Sequence, residues 1–178
     1  MSVLADRLLA LHDALSRASL AHAFGGAIAL AYCTEEPRGT RDLDVNVFAT
    51  PDRAAEVLAA MPSGVAVSEA DIDVARREGQ VRVWWEETPI DVFLNTIGFH
   101  ADAARGVREV PFEGRRIPVL GCAALVVFKA MFDRTRDWAD IEGVVAAQPA
   151  AAAEALSSLT RLIGADEPPT IRLRALLG

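Results

Sequence analysis

Leu4, Leu8, Leu11 and Leu15 recur at helical spacing with Asp6, Arg7, Asp13 and Arg17 between them, so the chain opens with an amphipathic helix of about four turns. The pattern then shortens. Residues 22–24 (His-Ala-Phe) read as a strand and 27–32 as a small helix, which Pro37 and Gly39 bring to an end. From Asp42 to Phe48 the residues alternate, with Leu43, Val45 and Val47 on one face of a strand and Asp42 and Asp44 on the other. Thr50-Pro51-Asp52 marks a helix start, with Thr50 as N-cap and Pro51 in the first helical position, and Pro62 and Gly64 close that helix near Met61. Residues 65–67 form a short strand. Residues 81–85 and 90–94 make a hairpin around Glu86, Glu87 and Pro89, and 107–112 with 117–120 make another around Glu113-Gly114. After Gly121 the periodicity is helical throughout, predicting helices over 122–132, 136–147, 150–163 and 169–177. The expectation is an α/β (α+β) core over residues 1–120, a mixed sheet flanked by helices, and a helical C-terminal segment over 121–178 packed on it as one compact domain.

Composition narrows this picture. With 178 residues, 52% of them hydrophobic, the chain can bury a real core. The longest apolar run, residues 119–128, is too short to span a bilayer and stops at Lys129. Charges within the opening helix exclude a signal-peptide reading. Cys33 and Cys122 lack metal-ligand spacing and a third partner, which reads as core thiols in a reducing compartment and a cytoplasmic protein. A net charge of −7 argues against a surface that coats nucleic acid. Arginines gathered at 105, 108, 115, 116, 134 and 136 still allow a local basic face, while an acidic cleft would suit a cationic small molecule.

The candidate chemistry lies between Phe24 and Phe48. Two carboxylates on one strand face repel unless a positive charge joins them, and hard oxygen donors favour Mg²⁺ or Mn²⁺. Gly25-Gly26 ahead of a helix lets backbone approach a ligand and offers N–H groups to phosphate. Each half has a plain alternative: an exposed edge pair for the aspartates, an ordinary turn for the glycines. Arg38, Thr40 and Arg41 just before Asp42 favour a site.

Gly25-Gly26, a spacer, and then R-x-T-x-D-x-D resemble the nucleotidyltransferase superfamily to which DNA polymerase beta belongs, and within it the minimal bacterial branch of AbiEii-type toxins and small antibiotic nucleotidyltransferases. Two departures stand out. Gly26 occupies a place where many members have serine, and 15 residues separate it from Asp42, a longer spacer than is usual. The resemblance implies a nucleotidyltransferase-like sheet, an NTP such as ATP as substrate, and Asp42, Asp44 and a third carboxylate holding Mg²⁺ (or Mn²⁺). Asp91, the one acid in the apolar strand PIDVFLN, reads from its surroundings as either a ligand or an edge residue; the resemblance implies a ligand that also helps deprotonate the acceptor. It further implies that Gly25, Gly26, Arg38 and Thr40 bind the phosphates.

Lys129 is the single lysine among 18 basic residues. It is either a helix-edge residue with its head in water or a point charge for triphosphate oxygens. The segment from Lys129 to Ile141 is similar to the downstream lysine helix of AbiEii-like chains, with Asp137 or Asp140 as the following acid. The acceptor stays open: tRNA with a partner antitoxin on the toxin-like side, a hydroxylated or cationic aminoglycoside- or lincosamide-type molecule on the other. A catalytically silent binding module or antitoxin is the alternative of a different class. His12 reads as a packing residue, His22 as a neighbour of the glycine loop, and His100 as a helix cap or base contact. Of Trp84 and Trp85, one faces the core and the other faces outward, against the helical tail or a nucleobase.

Overall fold

The computed structural model describes residues 2–178. Helix α1 (Val3–Arg17) starts at the Ser2 N-cap, whose hydroxyl accepts from the Ala5 N–H, and buries Leu8, Leu11 and Leu15. Strand β1 (His22–Phe24) leads through Gly25 into α2 (Gly26–Thr34), and β2 (Leu43–Val47) follows the intervening loop. The helix expected from Thr50 begins instead as a single 3₁₀ turn, Pro51–Arg53, before α3 (Ala54–Ala59), and the Thr50 side chain caps nothing.

Strand β3 (Val65–Ala66) precedes α4 (Glu69–Glu78), a helix absent from the sequence expectation. Its Ser68–Asp71 capping box and the left-handed Gly79 that ends it are clear boundary signals. Strands β4 (Gln80–Trp85) and β5 (Thr88–Phe93) form the first expected hairpin. A second unanticipated helix, α5 (Phe99–Arg105), comes before the other hairpin, β6 (Arg108–Phe112) and β7 (Arg115–Val119). Helices α6 (Cys122–Phe132), α7 (Thr135–Ala147), α8 (Pro149–Ile163) and α9 (Pro168–Leu177) match the helical tail within one residue at each end.

Among the described residues the sheet has seven strands in the order β3-β4-β5-β2-β1-β7-β6. The β2–β5 and β1–β7 pairs are parallel and the others antiparallel. Helix α1 lies across one face, where His12 meets His22, and the Arg7 guanidinium stacks on Trp85. Trp84 faces the opposite way and is 46% exposed. The second face receives α2, on which α6 and α7 pack, with α8 and α9 behind. No helix among the described residues is long and apolar enough to cross a membrane.

The packing of α2 on α6 corrects the cysteine expectation. Cys33 and Cys122 form a disulfide with Cα atoms 5.6 Å apart, rather than two isolated core thiols. A separation of 89 residues leaves no local spacing signal for such a pair.

Candidate active site

One row of side chains crosses three strands. Asp44 in β2 is paired in parallel register with Asp91 in β5, and Asp91 is paired in antiparallel register with Arg82 in β4. Directly paired residues project to the same face, and Asp42, two residues before Asp44, shares it. The opposite face carries Leu43, Val45, Ile90 and Val92, all buried. Strand alternation thus sets the three carboxylates on one surface, as expected. Arg82 is the addition: its Nε donates to one Asp91 oxygen and its Nη2 to the other, both at 2.7 Å.

The glycine pair packs directly behind Asp44. The Gly25 N–H donates to the Asp44 carbonyl at 2.9 Å, so it is committed to the sheet and has no hydrogen left for phosphate. Gly26 has φ +47°, and a Cβ there would lie 1.8 Å from an Asp44 carboxylate oxygen. A serine side chain there would have no room. The donors left free are the first N–H groups of α2, those of Gly26, Ala27 and Ile28, which precede the first intrahelical bond from Ala29 to Gly25. Thr40 donates its hydroxyl to the Asp42 carboxylate.

A ladder of alternating charge borders this surface. Arg38 reaches Asp140 at 3.1 Å, and Lys129 lies 2.7 Å from Asp140 and 3.1 Å from Asp137. Arg134 closes the series on Asp137 with two bonds, of 2.6 and 3.2 Å. Lys129 and Asp137 are buried, so each charge depends on its partners. Both acids that followed Lys129 in the sequence reading therefore contact it. Burial would raise the Asp137 carboxyl, but Arg134 and Lys129 pull it below the ordinary range. The same hydrogen bond raises the Arg134 guanidinium.

Two clefts open from the carboxylates. The first, about 550 Å³, is lined by Gly26, Ala27, Arg38, Thr40, Arg41, Asp42, Asp44, Lys129, Arg134 and Arg136. It joins four arginines to the start of α2. The second, about 610 Å³, shares Asp42, Asp44 and Lys129 and extends past Arg82 and Asp91 to Phe93, Ile97, His100, Phe128 and Phe132. The first cleft is the richer in arginine; the second has an apolar floor.

Several of these residues escaped the sequence reading. Arg82 falls at an exposed position of an alternating strand, but its pairing with Asp91 requires the register of β4 on β5. The arginine cluster is dispersed: Arg115 pairs with Asp13, Arg105 with Asp102, and Arg116 with the Glu109 carbonyl, leaving Arg134 and Arg136 at the cleft. His22 lies on the α1 side, its Nδ1 on the Leu20 carbonyl at 2.8 Å, away from the carboxylates. His100 lines the apolar cleft.

The carboxylates fit a hard divalent cation by donor type and by charge. Asp44 is pushed up to about 6 by burial, then by Asp42 and Asp91, so the site lacks positive charge even beside Lys129 and Arg134. Among the described residues no three Asp, Glu, His or Cys side chains are gathered closely enough to hold a metal ion as they stand, and Asp91 is engaged by Arg82.

No protein-family model matches the sequence, and no curated protein matches it. Among solved structures, the chain superposes on the solution structure of the antibiotic-resistance factor ANT(2'')-Ia with a TM-score of 0.62 at 13% identity, covering 89% of this chain and 92% of that one. The crystal structure of ANT(2'')-Ia in complex with adenylyl-2''-tobramycin gives 0.59 at 17%, covering 99% and 97%. The lincomycin-bound lincosamide antibiotic adenylyltransferase LnuA gives 0.53 at 16%, covering 78% and 94%. At these identities the likeness is one of fold: the chain has the nucleotidyltransferase fold, with its mixed sheet and flanking helices.

Proposed function

We propose that the protein is a divalent-metal-dependent nucleotidyltransferase that moves a nucleoside monophosphate from an NTP to a hydroxyl of a small acceptor. The observation that carries this reading is Asp44 and Asp91 side by side in register, with Asp42 on the same face, between an arginine-lined cleft and an apolar one. Asp42 and Asp44, with Asp91 as the third carboxylate, would hold Mg²⁺ or Mn²⁺, which would neutralise phosphate charge and acidify the acceptor hydroxyl. The triphosphate takes the arginine-lined cleft, against the free N–H groups of Gly26 and Ala27 and the side chain of Arg38, while Thr40 orients Asp42 with its hydroxyl hydrogen. Lys129 lines both clefts, and of its three ammonium donors two are held by Asp137 and Asp140, leaving one for phosphate. The acceptor hydroxyl lies on the Asp91 side, which takes up its proton. In-line attack at the α-phosphorus then depends mainly on positioning and charge, with pyrophosphate as leaving group.

A small acceptor is favoured over tRNA because Lys129 and Arg134, two of the three basic residues of the Lys129–Ile141 segment, are held by Asp137 and Asp140. Phe93, Phe128 and Phe132 favour an acceptor with an apolar face. Dependence on an NTP puts the reaction in the cytoplasm, where thiol reductants work against the Cys33–Cys122 bond.

Transfer of label from each α-labelled NTP, with Mg²⁺, onto small hydroxylated acceptors and onto total tRNA tests the proposal beside Asp44→Asn. The expected result is label on a small acceptor that falls to background in the variant. Label on tRNA instead would move the reading to an RNA-modifying toxin with an antitoxin partner. No label on anything, with Mg²⁺-NTP still bound, would leave a silent binding module.

A further inference from the structure

Arg82 occupies both oxygens of Asp91 through a flat two-donor fork, at 2.7 Å each. Asp91 in turn stands beside Asp44, so the row reads acid, acid, arginine across neighbouring strands. The Arg82 side chain is 51% exposed and that of Asp91 19%. The guanidinium is therefore anchored to the sheet only through the carboxylate, and water can receive it when it leaves. It also lines the apolar cleft, at the margin where the acceptor is proposed to enter.

On the nucleotidyl-transfer reading above, we propose that Arg82 is the resident counter-ion of Asp91, and that a divalent cation reaches this third carboxylate only by displacing it. Asp42 and Asp44 have no such occupant: Thr40 donates a neutral hydroxyl to Asp42, and the cations nearest Asp44 are tied to Asp137 and Asp140. The surface thus offers an open cation position on β2 and a guarded one on β5. Arg82 acts through Asp91 and is a positioning residue. If it holds Asp91 nine-tenths of the time, apparent cation affinity there falls about tenfold. The guanidinium keeps Asp91 from binding stray cations before substrates are in place, and frees it once they compete for either partner.

Mn²⁺ titration of the full chain without nucleotide, with free Mn²⁺ followed by its EPR signal, tests this independently of catalysis. Arg82→Gln should bind Mn²⁺ about tenfold more tightly than wild type, or take up one further ion per chain. Arg82→Lys, which keeps the charge but loses the fork, should lie between them, and it carries the same test should the glutamine variant not fold. Arg82→Gln/Asp91→Asn should lose the gain. Unchanged or weaker Mn²⁺ binding in Arg82→Gln, with wild-type binding that disappears in Asp44→Asn, would overturn the role of Arg82 and leave the metal assignment standing. Absence of Mn²⁺ binding in wild type and Arg82 variants alike would overturn both.

Discussion

Burial first, and then the charges of Asp42 and Asp91, push the Asp44 carboxyl up to about 6 from 3.8. The folded chain therefore holds a proton that the unfolded chain has already released, and the contribution of Asp44 to stability is fully present below about pH 4 and lost as pH rises through 6. The shift corresponds to about 3 kcal/mol. Asp44→Asn, freed of this cost, should be more stable than wild type by up to about that amount at pH 7.5 without metal, and no more stable at pH 4. Urea unfolding in EDTA at the two pH values checks it; equal differences at both would refute the electrostatic account. The Asp42–Asp44 pair itself was legible, because alternation in a strand is a local property. The left-handed backbone of Gly26 and the fork from Arg82 were not, since one depends on Asp44 packed against the glycine and the other on the register of two strands.

At the scale of elements, α1 is joined to β1 by a pair of imidazoles. His22 Nδ1 faces the Leu20 carbonyl, which can only accept, so that nitrogen carries the hydrogen; Nε2 then accepts from His12 Nδ1 at 2.9 Å. His22 must be neutral for this arrangement, because its Nε2 accepts. Burial holds both below the ordinary 6.5, so the stability they contribute is present above that value and lost as pH falls through their folded values. NMR titration of the ring protons should find both midpoints under 6.5; a midpoint above it for His22 would rule out the neutral acceptor ring. Helices with an apolar stripe and clear ends, such as α1 and α6, were legible from the sequence. Helix α4 was not: most of its residues are charged, and the Ser68–Asp71 cap that marks its start gains weight only once the helix is seen. The insertion of β1 between β2 and β7 was also beyond reach, because strand order is fixed by long-range pairing rather than by any local pattern.

Across the whole molecule, the negative charge is offset by arginines used in pairs, and the helical tail is held to the core partly by the Cys33–Cys122 bond. Closing an interval of 89 residues restricts the unfolded chain by roughly 4–5 kcal/mol. Reduction, or Cys33→Ala/Cys122→Ala, should lower stability by up to about that amount. Reductant should then leave the double variant unaffected while lowering the wild-type unfolding midpoint. Equal sensitivity of the two would mean that the bond adds nothing.

That bond also makes the stretch from Cys33 to Cys122 a covalent ring. Gly26 and Lys129 lie just outside its two ends, while Arg38, Thr40, Asp42, Asp44, Arg82 and Asp91 lie within it. A protease that nicks the loop between α2 and β2 would release nothing, and the cut chain would run whole on a gel until reduced. Loops inside the ring can thus lengthen or shorten without parting α2 and α6, the two helices that the bond joins. With the bond intact, the loop that carries Arg38 and Thr40 can change while the start of α2 and the helix of Lys129 stay clamped together.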